Sequence, residues 1–222
     1  VALSLSAWNF PALLPARKIA AALAAGCAVI ARPASEAPGP CFRLADALVE
    51  AGTPPGAITI VTGRAAGLVG HLIASPVVRK VSLTGSVAVG KSVLAQCAAG
   101  VKRVSMELGG HAPVIVHRDA DPIASARALA GAKFRNAGQV CISPSRFYVH
   151  ASLAAPFEQS FAEVARAAVV GDGLRDETTM GLMIRRRGLE GALDLVADAV
   201  GRGARLVTGG SRPPHLNKGH FI

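Results

Sequence analysis

Short apolar runs of strand character alternate with longer helical ones along nearly the whole chain, and this alternation constrains the fold more than any single residue does. Residues 1–6 read as a strand and 12–25 as a helix rich in Ala and Leu. The apolar stretch from Ile19 to Ala31 lies between Lys18 and Arg32 and is divided by Gly26. It falls short of the ~20 residues that cross a bilayer, and reads as a helix end, a turn and a strand over 27–31. Further strands are expected at 58–61, 80–83, 103–106, 113–116, 146–149 and 205–207. Helices are expected over 40–51, 65–74, 86–99, 121–134, 153–168 and 189–200. Strands separated by helical crossovers make a parallel sheet covered on both faces, the α/β class, with right-handed connections. The paired glycines of Leu108-Gly109-Gly110 suit a hinge and divide the chain into domains 1–108 and 109–222.

A chain of 222 residues can bury a core, and 51% hydrophobic against 17% charged residues excludes a disordered chain. Lys and Arg number 24 against 14 Asp and Glu, a formal charge of +10. The positive residues are dispersed and aromatics make up 4%, whereas a nucleic-acid binder needs a basic stripe beside stacking rings. Neither a nucleic-acid partner nor a membrane is therefore expected. The one dense cluster, Arg185-Arg186-Arg187, reads as the solvated start of a helix. The chain opens without Met or a signal segment, and a cytoplasmic setting is expected. Cys27, Cys41, Cys97 and Cys141 lie far apart with no CxxC pair, and the six histidines form neither HxH nor HExxH. Neither a disulfide framework nor a metal site is expected.

Cys141 is the thiol that stands out, because it follows the polar, glycine-bearing run Asn136-Ala137-Gly138-Gln139-Val140. A free thiol is only ~3% ionised at pH 7, and ionising half of it takes ~2 kcal/mol of differential stabilisation. Backbone N–H groups can provide that; an inert buried cysteine is the bland alternative, and Cys27, Cys41 and Cys97 read as structural. Glu107 ends an apolar strand before Leu108 and two glycines, fitting either a general base or a solvated strand-end acid. Gly63, Gly67 and Gly70 miss the G-x-G-x-x-G dinucleotide fingerprint. Gly85-Ser86, at a strand-to-helix turn, is the better phosphate cradle, although serine there is also an ordinary helix cap.

Five motifs occur in order: Trp8-Asn9-Phe10-Pro11, Arg32-Pro33-Ala34-Ser35-Glu36, Leu83-Thr84-Gly85-Ser86, Glu107-Leu108-Gly109-Gly110 and Phe134-Arg135-Asn136-Ala137-Gly138-Gln139-Val140-Cys141. Together they resemble the successive motifs of the aldehyde dehydrogenase superfamily, and most of all its succinate-semialdehyde dehydrogenases. The resemblance implies an incomplete Rossmann-like NAD(P)-binding domain followed by an incomplete α/β catalytic domain. It implies that Cys141 attacks the aldehyde carbon as a thiolate. Asn9, with the backbone N–H of Cys141, would stabilise the resulting oxyanion, and Glu107 would activate the water that hydrolyses the thioester. Trp8, Gly85 and Ser86 would face the cofactor. No metal takes part, and full-length members form homo-oligomers.

Arg32 stands where the family usually has Lys, and Ser35 where NAD-preferring members often carry Glu. A serine there removes a charge that would repel a 2′-phosphate, and an arginine offers a bidentate phosphate partner, so NADP is expected alongside NAD. Arg17 and Arg135 resemble the two arginines that hold the distal carboxylate of a semialdehyde. The family chain is about twice this long, so a truncated, non-catalytic product is the second reading. This polypeptide alone is expected to be inactive and poorly soluble.

Overall fold

The computed structural model describes residues 1–222 as two compact units, Val1–Gly109 and Gly110–Ile222. The first alternates strand and helix without interruption: β1 (Ala2–Leu5), α1 (Leu13–Ala24), β2 (Val29–Arg32), α2 (Gly39–Glu50), β3 (Ile58–Ile60), α3 (Ala65–Ala74), β4 (Lys80–Gly85), α4 (Val87–Ala98) and β5 (Arg103–Leu108). The strands form one parallel sheet in the order β3-β2-β1-β4-β5. The apolar stretch between Lys18 and Arg32 resolves into the end of α1, a turn at Gly26 with φ +68°, and β2.

Both faces of this sheet are covered. Ile73 of α3 with Val93 and Cys97 of α4 packs against Leu3, Leu5, Val81 and Leu83 on one side. On the other, Ile19 and Ala22 of α1 with Cys41 of α2 pack against Val29 and Ala31. The central strand β1 is buried at successive residues, Leu3 and Ser4, as a strand covered on both faces must be. Each fully buried Leu, Ile or Val here contributes roughly 1.5–3 kcal/mol.

The second unit pairs β6 (Pro113–Val116) with β7 (Arg146–Val149) in parallel, and α5 (Pro122–Phe134) makes the crossover. Asp121 caps α5 by accepting from the N–H groups of Ile123 at 2.9 Å and Ala124 at 3.0 Å. Beyond β7 come α6 (Ala154–Arg166) and α7 (Arg186–Gly201). Phe147, Phe157 and Phe161 join Val116 and Ala126 in the core, with the Phe147 and Phe161 rings edge to face at 5.2 Å.

Three expectations need correction. Residues 205–207 form no strand, because a short apolar run cannot by itself supply a ladder partner; Arg205 instead pairs with Glu158 on α6, which holds that carboxyl below its ordinary range. The strand expected at 103–106 runs on to Leu108, because Glu107 and Leu108 pair with Thr84 and Gly85 of β4. Cys27 is exposed, not packed, since it follows the turn at Gly26. Arg186 opens α7 from solvent and pairs with Glu190 at 2.7 Å. No helix is long and apolar enough to cross a membrane.

Candidate active site

In an open α/β sheet, ligands bind beyond the carboxyl ends of the strands, where the strand order reverses. In the first unit that reversal falls between β1 and β4. The chain leaving β1 carries Trp8 and Asn9, both half-buried. β4 ends at Gly85, and Ser86 caps α4 by accepting from the Val89 N–H at 3.3 Å. Arg32 is the last residue of β2, and Glu107, an exposed side chain, stands opposite Thr84 near the end of β5. Arg32, Gly85 and Glu107 thus stand at the carboxyl ends of their strands along one edge of this sheet, with Ser86 just beyond.

The surroundings of Arg32 leave its charge open to an anion. Its Nη2 donates to the Ser35 hydroxyl at 2.8 Å and to the Gly63 carbonyl at 3.2 Å. Both acceptors are neutral, so the positive charge is oriented without being neutralised. Its Nε is buried without a hydrogen-bond partner, and burial pulls the guanidinium pKa down from the ordinary arginine value. A buried donor and an uncancelled charge fit a phosphate, and the first turn of α4 brings N–H groups that have no partner within the helix.

Lys18 stands in none of the sequence motifs that point to a site. Arg17 is exposed, but Lys18 is half-buried and its Nζ donates to Thr84 Oγ1 at 2.5 Å. Burial lowers its pKa and the charge of Glu107 opposes that shift, with Arg17 adding to the lowering. The missed signal was helical spacing, for Pro15 and Ala22 are both buried and Lys18 lies three residues after one and four before the other.

In the second unit, Cys141 is exposed on the loop that follows α5. Asn136, Ala137 and Gly138 take φ values of 52°, 53° and 74°, a run of left-handed residues. That conformation costs a non-glycine residue ~1–2 kcal/mol, and local bonds offset it. The Gln139 N–H donates to the Asn136 carbonyl at 3.0 Å, and Asn136 Nδ2 donates to the Gln139 carbonyl at 3.3 Å. Lys133 reaches the buried Ser143 hydroxyl at 3.4 Å, and burial lowers its pKa. Arg135 opens this loop and is exposed; Arg17 belongs to the other unit. An open apolar groove of about 840 Å³ is lined by Phe134, Phe147, Phe157 and Phe161. Ala137 and Gly138 of this loop lie in its wall, and Cys141 does not. An apolar groove favours apolar surface, so its size does not make it the reacting site.

A model of the aldehyde dehydrogenase family matches residues 1–222. The succinate-semialdehyde dehydrogenase of Escherichia coli (strain K12) that uses NADP(+) is 39% identical over 222 residues, 100% of this chain and 46% of that protein. The phenylacetaldehyde dehydrogenase of Pseudomonas fluorescens is 42% identical over 215 residues, 97% of this chain and 43% of that protein. Among solved structures, an NADP-dependent enzyme from E. coli superimposes with a TM-score of 0.96 at 38% identity, covering 100% of this chain and 46% of that one. The chain thus spans about half the length of the relatives it matches. Relatives named for a semialdehyde and for an aromatic aldehyde are similarly close, so identity alone selects no substrate.

Proposed function

The chain belongs to the aldehyde dehydrogenase family, and from that premise we propose that the whole protein oxidises an aldehyde with a distal carboxylate, succinate semialdehyde or a near homologue, to the acid with NADP or NAD. The observation that carries the reading is the placement of Asn9, Arg32, Gly85, Ser86 and Glu107 along the carboxyl edge of one parallel sheet at its reversal point. Residues 1–108 are then the cofactor domain, and 109–222 carry the nucleophile.

Gly85 and Ser86 would hold the pyrophosphate at the start of α4, Trp8 would flank the cofactor, and Arg32 with Ser35 would take the 2′-phosphate of NADP. A glutamate at position 35 would repel that phosphate; serine does not. The site so formed would hold a nicotinamide cofactor, whose chemistry would be to supply an acceptor for the hydride leaving the substrate carbon.

The remaining steps belong to side chains of this chain. Cys141, as thiolate, adds to the carbonyl carbon, and the carbonyl π electrons move onto oxygen. Asn9 donates an N–H to that oxyanion. After oxidation the acyl group is held on Cys141 as a thioester. Glu107 takes a proton from water, whose oxygen adds to the acyl carbon and expels the sulfur. Arg17 and Arg135 hold the distal carboxylate, a charge that a guanidinium fork matches in shape.

Kinetics on the whole protein test this. With NADP, kcat/KM for succinate semialdehyde should exceed that for butanal, its neutral counterpart, by about tenfold or more, the worth of a charged hydrogen bond. Cys141→Ala should abolish turnover. Turnover that survives this substitution overturns the reading, and equal rates with the two aldehydes remove the carboxylate clamp.

A further inference from the structure

The side chain two residues before the thiol is tied to a distant part of the second unit. The Gln139 carboxamide uses both of its ends: Oε1 accepts from the Ile184 backbone N–H at 3.0 Å. Nε2 donates to the Leu182 carbonyl at 3.3 Å and to the Asn136 carbonyl at 3.1 Å. A backbone N–H can only donate and a carbonyl can only accept, so these three partners fix which end of the amide is oxygen. The side chain is half-buried, and residues 182–184 are held from their other side, where the Met183 N–H donates to the His220 carbonyl at 2.9 Å.

This arrangement answers a question the local turn leaves open. Three successive left-handed residues, two of them not glycine, are not what the loop sequence prefers by itself. The bonds between Asn136 and Gln139 close the turn on itself but say nothing of where it stands in the unit. The Gln139 carboxamide reaches 43 and 45 residues ahead, and so fixes the loop against a separate segment. Losing the amide would leave the Ile184 N–H and the Leu182 carbonyl to find other partners, while the Asn136 carbonyl keeps the Gln139 N–H, so the loop cannot shift without cost.

We propose that Gln139 is a positioning residue for Cys141: its carboxamide clamps the loop to residues 182–184 and so sets where the sulfur stands. The proposal rests on the reading of Cys141 as nucleophile, while the clamp itself can be measured without turnover. Two variants separate bonding from space-filling. Gln139→Met keeps the length and loses every hydrogen bond. Gln139→Glu keeps the acceptor facing Ile184 and turns the two donors into a carboxylate oxygen beside two carbonyls.

Residue-resolved hydrogen exchange on the whole protein reads the clamp directly. The Ile184 amide should exchange about tenfold faster in Gln139→Met, as for one ordinary hydrogen bond lost, and within about threefold of the parent in Gln139→Glu. Kinetics with enzyme concentration set by titration of the reactive thiol read the positioning. Both variants should lose about tenfold or more in kcat, with KM for cofactor and aldehyde within about twofold. An Ile184 amide unchanged in Gln139→Met overturns the clamp, and an unchanged kcat per reactive thiol overturns the positioning role. If Cys141→Ala retains turnover, the nucleophile reading falls, and the exchange result still decides the clamp.

Discussion

Lys18 donates from Nζ to Thr84 Oγ1 at 2.5 Å, and Thr84 stands directly opposite Glu107 on the neighbouring parallel strand. A helix residue, a strand hydroxyl and a strand carboxylate thus share one edge of the sheet. The ammonium group is held where burial works against its charge and Glu107 works for it.

That balance has a pH signature. Burial lowers the Lys18 pKa below the ordinary value of 10.5, so the folded chain releases this proton before the unfolded chain does. Between the lowered value and 10.5 the unfolded state binds more protons, and stability rises with pH through that window. Urea unfolding followed by Trp8, the single tryptophan and a reporter of the first unit, should show this positive slope. Lys18→Met should flatten it. Equal slopes in the two proteins would mean that Lys18 is charged alike in both states.

The four thiols should separate by reactivity. Cys41 and Cys97 are buried and burial pushes their pKa up, whereas Cys27 and Cys141 are exposed. Alkylation needs an accessible thiolate. Under native conditions at neutral pH, mass spectrometry should find Cys27 and Cys141 labelled at least about tenfold faster than the other two, a gap that closes in denaturant. Fast native labelling at Cys97 would contradict the packing of α4 on the sheet.

The sheet was readable because each strand is a short apolar run bounded by a turn, and each helix spans the gap to the next. Its register was less so: Glu107 belongs to β5 through pairing with Thr84, a contact between residues 23 apart in sequence that no local pattern contains. Residues 205–207 carry the apolar pair Leu206-Val207 and still form no strand, because strand formation is decided by a neighbour. The site shows the same division. Asn9, Glu107 and Cys141 stand in motifs and could be picked out by type and order. Lys18 and Gln139 bond to partners 66 and 45 residues away, contacts that appear only when the chain is folded.

Position 35 should control the choice between the two cofactors. Arg32 Nη2 is 2.8 Å from the Ser35 hydroxyl, close enough for a carboxylate at position 35 to neutralise the guanidinium. Ser35→Glu should therefore lower the ratio of kcat/KM for NADP over NAD by about tenfold or more, through repulsion of the 2′-phosphate and loss of its arginine. The measurement is a pair of saturation curves on the whole protein. A ratio that does not move would take Arg32 out of phosphate binding.

Two glycines test how much backbone strain each turn carries. Gly26 has φ +68°, and a Cβ built there meets nothing within 4 Å, so Gly26→Ala should lose only the left-handed penalty, about 1 kcal/mol. Gly138 has φ +74°, and a Cβ there would lie 3.4 Å from the Lys133 carbonyl oxygen, an ordinary contact. Gly138→Ala should therefore also cost the left-handed penalty, about 1–2 kcal/mol, incurred in the loop that carries Cys141. Urea midpoints followed by Trp8 for the first unit and by Tyr148, the single tyrosine, for the second give the comparison. If Gly138→Ala is as stable as the parent, the left-handed run before Cys141 is not a fixed feature of the loop, and the Gln139 clamp has little to hold in place.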